Sequence, residues 1–251
     1  MSLFIDFKRW CRHALALPPH FNDEFTMDSY REFMQEETFS YSPRYAKERV
    51  VVHGAQALYE AMTDRGALIV FMHYGSFFLM GGAVRHQLGL PYTAIASRRN
   101  LNLLAPSGTA FWHGAHQRSG ELYEKGLFFS DEQVMQSKRW LEKPQHTLGV
   151  ALDVHEIGYP QPRHPFEFLG RQVFLPIAPA RLAKLAKVAM VPSIMHFDTK
   201  TASHHLQFFS SVQVDSPTEA TQKALSALEG WVRDDPNQQF FDIAQAFSTP
   251  D

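Results

Sequence analysis

The chain has 251 residues, 45% of them apolar and 20% charged, with a net charge of -2. This is the balance of a globular protein with a substantial core, and it excludes a generally basic, nucleic-acid-binding surface. The single cysteine, Cys11, excludes an intrachain disulfide and a thiolate zinc site and fits a reducing, cytoplasmic setting. No apolar run reaches the roughly 18 residues of a membrane span, and Asp6, Lys8 and Arg9 interrupt what would be the centre of a signal peptide.

Residues 3–17 place Leu3, Phe4, Phe7, Trp10, Cys11, Ala14 and Leu17 at helical spacing, ahead of the stop at Pro18-Pro19. Such a stripe either packs on the domain or lies on a membrane surface or hydrophobic partner. Its few positive charges, Lys8, Arg9 and Arg12, favour packing. A helix over 26–37 with Thr26 as its cap follows, then a loop and helical turn over 41–49. Residues 1–48 are thus an amino-terminal helical segment, ahead of an α/β domain over 49–251.

In that domain a short strand is expected at 49–54, a helix at 55–65, a strand at 67–72 and a helix at 76–88. Strands follow at 91–97, 127–129, 146–152, 172–175, 189–196 and 206–214. The intervening helices are expected in part of 101–117 and at 131–141, 179–188 and 218–234, and a proline-rich loop at 159–165. Strands alternating with helices at this spacing predict a mixed, largely parallel sheet flanked by helices.

The most informative stretch is Ala67 to Met72, a continuous apolar strand, followed by His73-Tyr74-Gly75-Ser76. A strand ending this way delivers an imidazole to the carboxyl edge of the sheet, where ligands bind in open α/β folds. His73 is either a general base or a hydrogen-bonded structural residue. Gly75 and Ser76 either offer backbone N–H groups to an oxyanion or form a tight strand-to-helix turn. Arg98-Arg99 and Asp153 also fall at strand ends, and topology predicts that they share an edge with His73.

The runs Arg49 to Leu58 and Arg65 to Ser76, with Ser97-Arg98-Arg99-Asn100, Ala151-Leu152-Asp153, Phe166 to Gly170 and Ala180 to Pro192, resemble the bacterial lipid A late acyltransferase family. That family belongs to the lysophospholipid-acyltransferase-like enzymes, and the resemblance spans roughly residues 48 to 215. It implies a glycerolipid-acyltransferase-like fold and acyl transfer from a coenzyme A or acyl-carrier-protein thioester, with no other cofactor. The family signature is His-Xaa4-acid. Here His73 matches, but Phe78 stands at the acid position.

The resemblance retains Arg98 and Asp153 as the family's arginine and later aspartate. Arg98 is then a candidate to hold a donor phosphate or stabilise the oxyanion, and Arg99 is a second cation or a solvated charge. Asp153 either supplies the missing carboxylate, positions Arg98 or caps a loop, with Glu156 as its substitute. Without the motif acid, an acceptor easier to ionise than a simple alcohol is expected, such as a thiol or a phenol. The other readings left open are a thioester hydrolase and a non-catalytic acyl-binding subunit.

Arg181, Lys184 and Lys187 form a basic helix face, either solvated or a dock for an acidic carrier. Phe77, Phe78, Phe111, Trp112, Phe128 and Phe129 are candidates to line an acyl pocket, or are core. His113 with His116, Asp153-Val154-His155-Glu156 and His204-His205 invite a metal reading, but no His-Glu-Xaa-Xaa-His motif is present and no metal is expected. The chain also lacks a Gly-Xaa-Ser-Xaa-Gly elbow, a phosphate-loop motif and a dinucleotide fingerprint.

Overall fold

The computed structural model describes residues 41–97, 114, 117–130, 133–154 and 162–239. The helices expected over 3–17 and 26–37 lie outside these residues. The first described helix is α1 (Pro43–Arg49), which has Pro43 in its first turn, is capped by Ser42 Oγ accepting from Tyr45 N–H at 3.1 Å, and carries Lys47 and Arg49 in its last turn. It buries Ala46 and runs through the expected division at residue 48.

Next come β1 (Val50–His53), α2 (Ala55–Ala61) and β2 (Ala67–Phe71). Every residue of β2 is buried, so the apolar run is a central strand covered on both faces. After the His73 turn, a 3-10 turn (Phe77–Leu79) leads into α3 (Met80–His86). The chain continues through β3 (Tyr92–Ala96), β4 (Leu127–Phe129), α4 (Val134–Leu141) and β5 (Thr147–Ala151). The last third holds β6 (Arg163–Phe168), β7 (Arg171–Pro176), α5 (Ala178–Ala186), β8 (Met190–Asp198), β9 (Ser203–Phe208) and α6 (Pro217–Asp234).

Among the described residues the main sheet has seven strands in the order β1-β9-β8-β2-β5-β3-β4, all pairs parallel except β8 with β9. The expected α/β class, with a mixed and largely parallel sheet, is the observed one. Alternation along β2 sends Leu68, Val70 and Met72 to a core shared with α4, α5 and α6, and Ala67, Ile69 and Phe71 to a core shared with α1, α2 and α3. The connection from β2 to β3 moves toward the β4 edge through α3. Those from β4 to β5 and from β5 to β8 move back through α4 and α5 on the other face. Opposite directions on opposite faces are what a single crossover hand requires.

Two expectations are corrected. The stretch read as a proline-rich loop and a turn contains strand β6, which pairs antiparallel with β7 around Leu169-Gly170 and packs Phe166, Phe168, Val173 and Leu175 into the first core. Pro165 is tolerated because a two-stranded ribbon leaves each strand an outer edge with no ladder to break. The strand expected at 206–214 begins earlier and ends at Phe208, while Val212 makes an isolated bridge to Met190.

Candidate active site

The parallel register of the central strands brings two of the expected residues together. Phe71 is paired with Ala151, so His73 and Asp153, each two positions on, leave the sheet side by side. The backbone ladder ends with Leu152 N–H donating to Phe71 O at 2.8 Å. The Asp153 carboxylate then continues it: Oδ2 accepts His73 N–H at 2.8 Å, and Oδ1 lies 2.8 Å from His73 Nδ1. The Asp153 side chain is fully buried and that of His73 is 14% exposed.

An ionised carboxylate accepts only, so this contact assigns the proton to Nδ1 and the lone pair to Nε2 in the neutral ring. Rotation of the ring is restrained further by Phe77, whose ring meets it edge-on with centroids 4.6 Å apart, and by Phe71 at 6.2 Å. The arrangement is an imidazole with one nitrogen oriented by a buried acid, able to accept a proton at the other.

The turn that carries His73 is tight. Tyr74 N–H donates to Met72 O at 2.7 Å, and Gly75 has φ +56° with a Cβ position only 1.9 Å from Met195 O, so a side chain there would strike the β8 backbone. Gly75 N–H donates to Gln238 O at 2.9 Å. Of the two readings of Gly75, this bond favours the tight turn, because it commits that donor to the fold. Ser76 is fully buried and opens the 3-10 turn, with Leu79 N–H donating to Ser76 O at 2.8 Å.

Phe78, at the position of the motif acid, is 5% exposed and packs into the second core with its ring centroid 4.1 Å from that of Phe77. It is a core residue. Phe128 is core as well, meeting Trp140 edge-on at 5.9 Å.

Arg98, Arg99 and Glu156 lie outside the described residues, as do Phe111, Trp112, His113, His116 and His155. Ser97, just before Arg98, follows the end of β3, whose parallel pairing with β5 sets its carboxyl end at the same sheet edge as His73. The Lys187 end of the basic helix lies away from that edge. Arg65 Nη1 donates to Ala186 O at 3.1 Å, which ties the Lys187 end of α5 to the amino end of β2. Lys184 Nζ donates to Asp215 O at 2.6 Å.

His204 and His205 are neighbours on β9 and face opposite sides of the sheet. His205 Nδ1 lies 2.9 Å from His53 Nε2, while His204 Nε2 lies 3.4 Å from the Tyr45 hydroxyl. Among the described residues no three His, Cys, Asp or Glu side chains form a group able to hold a metal ion. No helix among them is long and apolar enough to cross a membrane.

Sequence reasoning missed the anchors of the His73 turn, Tyr74 and Gln238. The Tyr74 hydroxyl donates to Trp231 O at 3.2 Å and Asp235 O at 2.8 Å, and burial pushes its ionisation well above the ordinary tyrosine range. Nothing in the local sequence pairs Tyr74 or Gly75 with a segment some 160 residues away.

No family model matches the chain, and no curated protein matches it. Among solved structures it is similar to the crystal structure of the 1-acyl-sn-glycerophosphate (LPA) acyltransferase PlsC from Thermotoga maritima. The TM-score is 0.43 at 11% identity, covering 92% of this chain and 89% of that chain.

Proposed function

We propose that this protein is an acyltransferase that moves an acyl group from a coenzyme A or acyl-carrier-protein thioester to a nucleophilic acceptor. The observation that carries the reading is the His73–Asp153 pair at the carboxyl edge of the sheet, 2.8 Å apart with the carboxylate fully buried. His73 Nε2 accepts the proton of the acceptor as its heteroatom attacks the thioester carbonyl. The tetrahedral oxyanion collapses, the C–S bond breaks, and the thiolate takes the proton back from the imidazolium. Asp153 is the positioning residue that fixes the tautomer. Arg98 is the proposed oxyanion or donor-phosphate partner, since Gly75 N–H is engaged elsewhere.

An easily ionised acceptor was expected because Phe78 replaces the motif acid. With Asp153 on Nδ1 the imidazole is oriented after all, so that reason lapses and an ordinary hydroxyl is a suitable acceptor. The test incubates the protein with a panel of acyl thioesters and with alcohol, phenol, thiol and amine acceptors, following free thiol and acylated product. Transfer that falls by about 10²-fold or more in His73→Ala is expected. Transfer unchanged in His73→Ala would overturn the reading. Free acid as the only product would make the protein a thioester hydrolase, and binding without turnover an acyl-binding subunit.

A further inference from the structure

Beyond Phe71 the sheet loses its central strand, while β8 runs on to Asp198. On the side of β8 that β2 would have covered, Gln238 meets the backbone of Phe197. Gln238, 1% exposed, accepts Phe197 N–H through Oε1 at 2.8 Å and donates through Nε2 to Phe197 O at 2.9 Å and to Asp235 Oδ2 at 2.7 Å. Its amide thus takes the place of a strand neighbour for β8 and also grips the end of α6. Its own backbone carbonyl accepts Gly75 N–H at 2.9 Å, and the next residue, Gln239, bridges antiparallel to Tyr74.

We propose that Gln238 is a positioning residue for His73. The chain from His73 to Gly75 has β8 on one side, where Met195 O leaves no room for a side chain at Gly75, and the Gln238–Gln239 segment bonded to it. His73 can keep both contacts to Asp153 only while its backbone stays within hydrogen-bond reach of a carboxylate that is fixed by burial. Freeing Gln238 from Phe197 releases the carbonyl that holds Gly75, and the turn from His73 to Gly75 then moves as a unit away from Asp153. The catalytic consequence rests on the reading of His73 as proton acceptor. The geometric one does not.

The experiment is nuclear magnetic resonance of histidine-labelled full-length protein, with acyl-transfer kinetics alongside. In Gln238→Met, nearly isosteric and without polar atoms, the His73 Nδ1–H exchanges with water at least about tenfold faster. The kcat falls by about 10- to 10²-fold with KM within about twofold, the scale of a small misplacement of the reacting group. Gln222→Ala, which removes a glutamine on α6 bonded to the Glu167 backbone, leaves both unchanged. Should Gln238→Met not fold, Gln238→Glu serves, since it keeps an acceptor for Phe197 N–H but loses the donor to Phe197 O and faces Asp235.

A lowered melting temperature with wild-type Nδ1–H exchange and wild-type titration of His73 would make Gln238 merely structural and overturn the proposal. Faster Nδ1–H exchange in a protein whose acyl transfer survives His73→Ala would instead uphold the positioning role and defeat the enzymatic reading.

Discussion

His73 and Asp153 are held together twice, once through the imidazole and once through the backbone amide of the histidine, by the two oxygens of a single carboxylate. The double contact fixes the position of the residue as well as the plane of its ring. An amide cannot reproduce it, because both groups of His73 are donors and an asparagine offers one acceptor oxygen.

Asp153→Asn is therefore expected to keep the fold and lose the tautomer. Asn Nδ2 donates to Nδ1, the proton moves to Nε2, and acyl transfer falls by about 10²–10⁴-fold. Loss of the His73 Nδ1–H resonance, measured beside the rate, separates this from simple unfolding. A variant with wild-type rate would remove Asp153 from the mechanism.

Restoring an acid at the motif position should not help. Phe78 is buried against Phe77 and Asp153 already occupies Nδ1. Phe78→Asp is expected to lower the unfolding free energy by about 3–5 kcal/mol, the scale of an uncompensated buried charge. Added to Asp153→Asn, it should leave the rate where the single variant put it, and a recovered rate in the double variant would show that residue 78 reaches the imidazole.

Gly75→Ala tests the turn. A left-handed conformation costs a non-glycine residue about 1–3 kcal/mol, and an intruding methyl in a packed site about 1–3 kcal/mol more. With Met195 O in the path of the Cβ, urea denaturation should report a loss of several kcal/mol. A loss under about 1 kcal/mol would mean that the turn can relax.

Stability should fall in mild acid. Burial holds His196 and His205 below the ordinary histidine range, His53 pushes His205 the same way, and Asp198 opposes this at both sites, joined at His196 by Asp235. Burial lowers His86 also, with Arg85 and Lys47. A group lowered on folding binds its proton more readily in the unfolded chain. The contribution is thus whole above about pH 6.5 and is lost as pH falls through the folded values. Asp198, lowered chiefly by the Thr201 hydroxyl, acts in the same sense at more acidic pH. Urea midpoints should decline between about pH 7 and pH 5, less steeply in His205→Gln. A midpoint flat over that interval would contradict this account.

The sequence carried the strands of the sheet centre because β2 is apolar at every position, and the histidine after it named the edge. It did not carry the pairing of β2 with β5, which depends on where a strand some 80 residues later inserts. Asp153 was accordingly one alternative among several until the register placed it. The early start of β9 was hidden by His204, a fully buried residue that occupies an inward position where an apolar side chain would have shown the alternation. Gln238 gave no signal, since the contacts that tie it to β8 are to backbone groups of Phe197, 41 residues away.

The position of β5 also governs when the site can exist. The strand enters between β2 and β3, both made earlier in the chain, so during folding those two must remain apart until it arrives. Asp153 comes in with it, and His73 has no orienting partner in any species that lacks this insertion. Pulsed hydrogen exchange during refolding should find the His73 amide acquiring protection with the centre of β5 and not with the local pairing of β6 and β7. A competent site would then serve as its own report that the sheet has closed.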